Sequence, residues 1–155
     1  MIKFPYGNSD FHKIRTRNML YLDRTSMIPA LEMAGEQLLF LRPRRFGKSL
    51  LLSTLANYYD INRADEFEAL FGDLAIGQKP TDEHNQYLIL RWDFSVVSPL
   101  GEVQSIIRSL FDHINRSIIE FRERYQAFLV SPIDVVAHNA IDTLESLLGV
   151  VQRSG

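Results

Sequence analysis

The sequence contains no cysteine. That excludes disulfides and thiolate-ligated zinc, and it fits a chain expected in the cytoplasm. No apolar run approaches the roughly 20 residues needed to cross a bilayer, so no membrane partner is expected. The opening residues, MIKFPYGNSDFHKIRTRN, lack the apolar stretch of a secretory signal. Internal repeats and low-complexity tracts are missing. His12, His84, His113 and His138 have no metal-ligand spacing and read as surface or packing histidines. No Ser/His/Asp arrangement and no acid/lysine cluster of the nuclease type is visible.

What is present suits a soluble globular chain. Its 155 residues suffice for one domain with a core, and the hydrophobic and charged fractions of 46% and 23% argue against disorder. The net charge is -2, but it is spread unevenly. Residues 1–60 carry nine Lys/Arg against five Asp/Glu, and the remainder carries eight against fourteen. Two readings stand: a local positive field that favours an anionic ligand, or a chance asymmetry of a solvated surface.

The first 25 residues are polar with scattered aromatics and read as a loop-rich lead-in segment. Residues 26–34 read as a helix with Ser26 as N-cap and Gly35 as its stop. Residues 37–41 (QLLFL) form a continuous apolar run, as expected of a strand buried on both faces. Pro43 and Gly47 punctuate the loop that follows. From Lys48 to about Asp60 the pattern is helical and apolar nearly all round, which predicts deep burial. A mixed stretch with a short helix near residues 65–71 leads to a second strand pattern, YLILRW, at 87–92. After Pro99 and Gly101, a long helix is predicted from Glu102 to about Phe128. A last helix is predicted over 133–151, with Pro132 in its first turn. Strands alternating with helices indicate an α/β fold with a parallel sheet and flanking helices. Two strands are too few for a finished sheet, so the expected domain, 26–155, reads as the front part of something longer.

Gly47-Lys48-Ser49 carries the chemistry. It supplies the tail of the phosphate-loop pattern, a glycine, four free positions, then Gly-Lys-Ser/Thr; Arg42 stands where the first glycine would be. A helix start offers unpaired N–H groups at the positive end of its dipole. A loop bent around that end aims several of them at one phosphate. Gly47 permits close backbone approach. Lys48 supplies a point charge for the β- and γ-phosphates, and the Ser49 hydroxyl a ligand for Mg²⁺. Arg44 and Arg45 add positive charge. The plain alternative is a helix start with an incidental lysine.

The run Leu41-Arg42-Pro43-Arg44-Arg45-Phe46-Gly47-Lys48-Ser49 resembles the signature loop of the AAA-ATPase-like family. These are P-loop ATPases, often followed by a nuclease-like domain of the PD-(D/E)XK type. Arg42 in place of glycine is usual there. Tyr21-Leu22-Asp23-Arg24-Thr25 resembles an element that precedes the loop, and its plain reading is a loop with a capping Asp or Thr. Leu70-Phe71-Gly72-Asp73-Leu74-Ala75-Ile76 resembles a turn motif after the first helix, and the strand ending Asp93-Phe94-Ser95 is similar to the family's second strand. The resemblance implies ATP and Mg²⁺ as ligands, held by Arg44, Arg45, Phe46, Gly47, Lys48 and Ser49. It also implies an acidic Walker B strand beyond residue 155. Nucleic acid would enter as a partner only through a further C-terminal domain.

Asp93, at the end of an apolar run, is the one residue here with the shape of a Walker B acid. Its alternative role is to cap a turn with Ser95. Two rival readings of the whole chain remain. One is a truncated remnant without catalysis. The other is a nucleic-acid-binding module using the basic clusters at 13–17 and 42–48, against which the negative net charge argues. On the leading reading the chain is the ATP-binding portion of an ATPase that alone lacks competent hydrolysis. The apolar run 38–41 is then expected in a sheet with a gap, or in makeshift pairing with 87–92.

Overall fold

The computed structural model describes residues 2–155, and its chain divides into two compact units, Met1–Leu88 and Ile89–Gly155. Regular structure among the described residues is helical. The first unit contains α1 (Phe11–Thr16), α2 (Ile28–Met33), α3 (Lys48–Tyr59), α4 (Phe67–Phe71) and α5 (Ala75–Gln78). The second contains α6 (Val103–Arg124) and α7 (Ala140–Ser154). Short 3-10 turns precede α2 and α4 and follow α6.

The expected parallel sheet is not there. Among the described residues the only β pairings are two isolated bridges, Lys3 with Met19 and Asp60 with Tyr87. Residues 38–41 form no strand, and Leu39 and Leu41 are 84% and 75% exposed. Neither a gapped sheet nor a pairing of 38–41 with 87–92 occurs. A short apolar run becomes a strand only when another chain segment completes its ladder, and none pairs with 38–41 among the described residues. The run at 87–92 has a different use. Asn85 N–H donates to Tyr58 O (2.9 Å) and Tyr87 N–H to Tyr59 O (2.9 Å), so this segment caps the C-terminus of α3.

The first unit is built on aromatic packing. Phe11, Ile28, Tyr58, Leu70, Phe71, Leu74 and Ile76 form its core. Phe11 stacks on Phe71 at 4.8 Å, and Tyr58 meets Phe71 edge-on at 5.4 Å. Helix α3 begins at Lys48, as its pattern predicts, but it is not deeply buried all round. Ser53, Thr54 and Tyr58 are buried, whereas Leu52 is exposed. The small Ser53 lets α1 approach, and its Oγ accepts the Phe11 N–H (2.9 Å), one of the amides left free at the start of α1.

In the second unit α6 and α7 pack through Ile118, Phe121, Leu147 and Val150. Helix α6 matches the predicted long helix within a few residues at each end. Helix α7 starts seven residues later than predicted. Asn139 caps it, its side chain accepting the N–H groups of Ile141 and Asp142. The preceding stretch lies outside any helix, and α7 satisfies part of its backbone from the side: Asp134 N–H donates to Ser146 Oγ (2.9 Å) and Val136 N–H to Thr143 Oγ1 (3.0 Å). Among the described residues no helix is long and apolar enough to cross a membrane.

Candidate functional site

Residues 42–47 lie outside any helix, and α3 opens directly after them with Lys48 and Ser49 in its first turn. Gly47 is the N-cap, in the left-handed region at φ 77°, and a Cβ there would touch nothing within 4 Å. Its glycine is therefore required by backbone conformation and not by crowding. Gly47 O accepts the Leu51 N–H (2.8 Å), the first bond of the helix. No side chain caps this end. The early amides of a twelve-residue helix thus face outward beside an exposed loop.

The lysine is engaged within the loop. Lys48 Nζ donates to Arg42 O (2.5 Å) and to Pro43 O (2.8 Å), closing a ring from residue 42 to residue 48. Pro43 supplies an acceptor here and has no N–H to satisfy. Arg42 carries its guanidinium over the Phe40 ring, 5.8 Å from the centroid. Arg44, Arg45 and Phe46 are exposed. Arg45 is left-handed at φ 67°, a conformation that costs a residue with a Cβ roughly 1–2 kcal/mol. No acidic residue occurs between Glu36 and Asp60, so four cations share this segment without a carboxylate in sequence.

Asp93 lies in the second unit and is exposed. Its Oδ1 accepts the Ser95 N–H (3.0 Å) and hydroxyl (2.6 Å), the turn-capping arrangement. Those two bonds hold its carboxyl below the usual carboxylate range. The structure brings Arg44, Arg45, Phe46, Gly47, Lys48 and Ser49 onto one loop and helix start within the first unit.

The basic cluster at 13–17 is largely committed elsewhere. Arg15 donates from Nε to Leu70 O (2.8 Å) and pairs with Asp73, while Lys13 pairs with Asp10 at 3.2 Å. The histidines are dispersed: His12 bonds Glu66 (2.6 Å), His84 packs on Phe67, and His138 faces Asp112 (3.1 Å). No group of three or more metal-ligating side chains exists among the described residues.

One network escaped the sequence reading. Asp23 Oδ1 accepts the Thr25 N–H (2.8 Å) and hydroxyl (2.7 Å), and its Oδ2 accepts the Ala75 N–H (2.7 Å). Thr25 Oγ1 in turn accepts the Ile76 N–H (3.1 Å). The segment 21–25 therefore caps α5 and is tied to the 70–76 motif. The Asp-x-Thr spacing signals a local capping turn; its distant partner, some fifty residues on, leaves no local mark.

A curated protein of Azotobacter chroococcum mcd 1, described as an uncharacterized protein in the vnfD 5' region, is 36% identical over 99 residues. The alignment covers 63% of this chain and 16% of that protein. No solved structure matches. The family model described as predicted AAA-ATPase matches residues 5–154, nearly the whole chain. The chain belongs to this predicted AAA-ATPase family.

Proposed function

We propose that residues 42–49 hold the phosphates of ATP in an AAA-like ATPase, with Ser49 as a ligand for Mg²⁺. The observation that carries this reading is the left-handed Gly47 turning an exposed, carboxylate-free basic loop into the open start of α3. Unpaired amides and the helix dipole favour an anion there. Family membership supports the choice of a nucleoside triphosphate. Lys48, released from Arg42 O and Pro43 O, is the charge that would follow the β- and γ-phosphates. Asp93 Oδ1 accepts both Ser95 donors in a turn cap, so Asp93 is not proposed as the acid that holds Mg²⁺ through water in such ATPases.

The test is calorimetric titration of the longest available form of the protein with ATP and Mg²⁺. Lys48→Ala is expected to weaken binding by roughly 1.5–3 kcal/mol, the value of a charge-assisted contact. Arg15→Ala is the contrasting control, because Arg15 is bound to Leu70 and Asp73. Equal ATP affinity in wild type and Lys48→Ala would remove the nucleotide site.

A further inference from the structure

The second unit holds a cavity of about 510 Å³, within the range of roughly 300–1,000 Å³ that small-molecule sites occupy. The last turn of α6 supplies Arg122 and Glu123 to its lining, and the turn after it supplies Gln126. Leu129, Val130 and Pro132 supply the apolar part. The wall is held in place by the protein itself. Val130 N–H donates to Ser154 Oγ (3.1 Å), and Arg153 Nη2 donates to Ser131 Oγ (3.4 Å). Arg122 Nη1 donates to Ile133 O (3.3 Å). The segment 129–133 is thus fastened to both α6 and α7.

The polar groups of this lining are largely unused. The side chains of Glu123 and Gln126 make no hydrogen bond or ion pair among the described residues. Arg122 spends one donor of its five-donor fork on Ile133 O. Arg122 and Glu123 line the same cavity without pairing, since successive positions on a helix do not face each other. Their charges narrow the choice of ligand. A simple anion would be repelled by Glu123, and a simple cation by Arg122. A ligand that carries both charges meets an opposite charge for each. An apolar group on that ligand would cover Val130, which is 62% exposed.

We propose that this cavity binds a small zwitterion with an apolar side chain, either a free α-amino acid or a short peptide. Arg122 takes its carboxylate, Glu123 takes its ammonium, and Leu129, Val130 and Pro132 take its side chain. The site lies wholly within the second unit and does not depend on the phosphate reading of residues 42–49.

Amide NMR titrations with leucine, leucylleucine, glycine, N-acetylleucine and leucinamide test it, alongside thermal melts. Leucine or leucylleucine should bind with a dissociation constant of about 1 mM or below, and the tighter of the two tells amino acid from peptide. The shifted amides should include Gln126 and Val130. Glycine lacks the apolar group, N-acetylleucine the ammonium and leucinamide the carboxylate; each should bind about tenfold more weakly than leucine. Glu123→Gln should keep the wild-type Tm, because Glu123 has no partner to lose. It should bring leucine down to the level of N-acetylleucine and leave N-acetylleucine itself unchanged. Arg122→Met should do the converse, weakening leucine and sparing leucinamide. If that variant fails to fold for want of its bond to Ile133 O, Glu123→Gln still decides. No saturable binding of either zwitterion by about 10 mM overturns the proposal. So do shifts that spare Gln126 and Val130, single-charge analogues that match leucine, and undiminished leucine binding by Glu123→Gln.

Discussion

At the scale of single residues, Thr25 shows how much one hydroxyl can organise. It donates to Asp23 and accepts from Ile76, and it is buried while doing so. Asp23 completes the arrangement with two carboxylate oxygens shared among Thr25 and Ala75. Burial pushes the Asp23 carboxyl upward, but the bonds from the Thr25 hydroxyl, the Ala75 N–H and the Thr25 N–H outweigh it and hold the group below its ordinary value. A depressed folded-state pKa means that the stabilisation is full above the unfolded value, about 3.9, and is lost as pH falls through the lower folded value. Asp23→Asn should therefore be less stable than wild type near pH 6, with the difference shrinking below about pH 4. Urea unfolding across that range measures it. Glu66, lowered by its bonds to His12 and then Arg63, keeps a residual acid dependence in the variant.

At the scale of elements, the close approach of α4 and α5 depends on Gly77. A Cβ at that position would lie 1.9 Å from Phe71 O and 2.5 Å from Phe71 C. Those are backbone atoms, so no rotamer change relieves the clash. Gly77→Ala should force α5 away from α4 and loosen the cap that Asp23 and Thr25 place on it. A loss of about 1–3 kcal/mol is expected in denaturant unfolding. The sequence does not disclose this contact, because crowding is a property of the partner. Helix ends were legible where the cue is local: Gly47 before α3, and Glu102 before α6. They were misread at α7. Pro132 suits a first turn, yet Asn139 is the cap, and hydroxyls of Thr143 and Ser146 satisfy the preceding backbone.

At the scale of the whole molecule, the two units each have their own core, and among the described residues neither contains a sheet. The sheet was not legible because periodicity cannot separate a short apolar strand from an apolar run left without a ladder. The helix start at Lys48 was legible because its cue, Gly47, is local, whereas the ring that Lys48 closes on Arg42 O and Pro43 O was not. Exposed apolar side chains are the cost of the missing ladder. Leu39 and Leu41 stand 84% and 75% exposed in one such run. Apolar surface of this kind promotes association. Leu39→Ser combined with Leu41→Ser should lower concentration-dependent self-association, with little change in the melting of α-helical signal. Sedimentation velocity over a range of concentrations tests this.

The ring closed by Lys48 on Arg42 O and Pro43 O makes the protein its own competitor. A ligand that needs the ammonium must wait until the ring opens, and the fraction of open rings scales its apparent affinity. Under rapid mixing, the observed rate for such a ligand should then climb with concentration and level off at the rate of opening. In Lys48→Ala no ring exists to open. The plateau should vanish, leaving a complex that forms without delay and falls apart sooner.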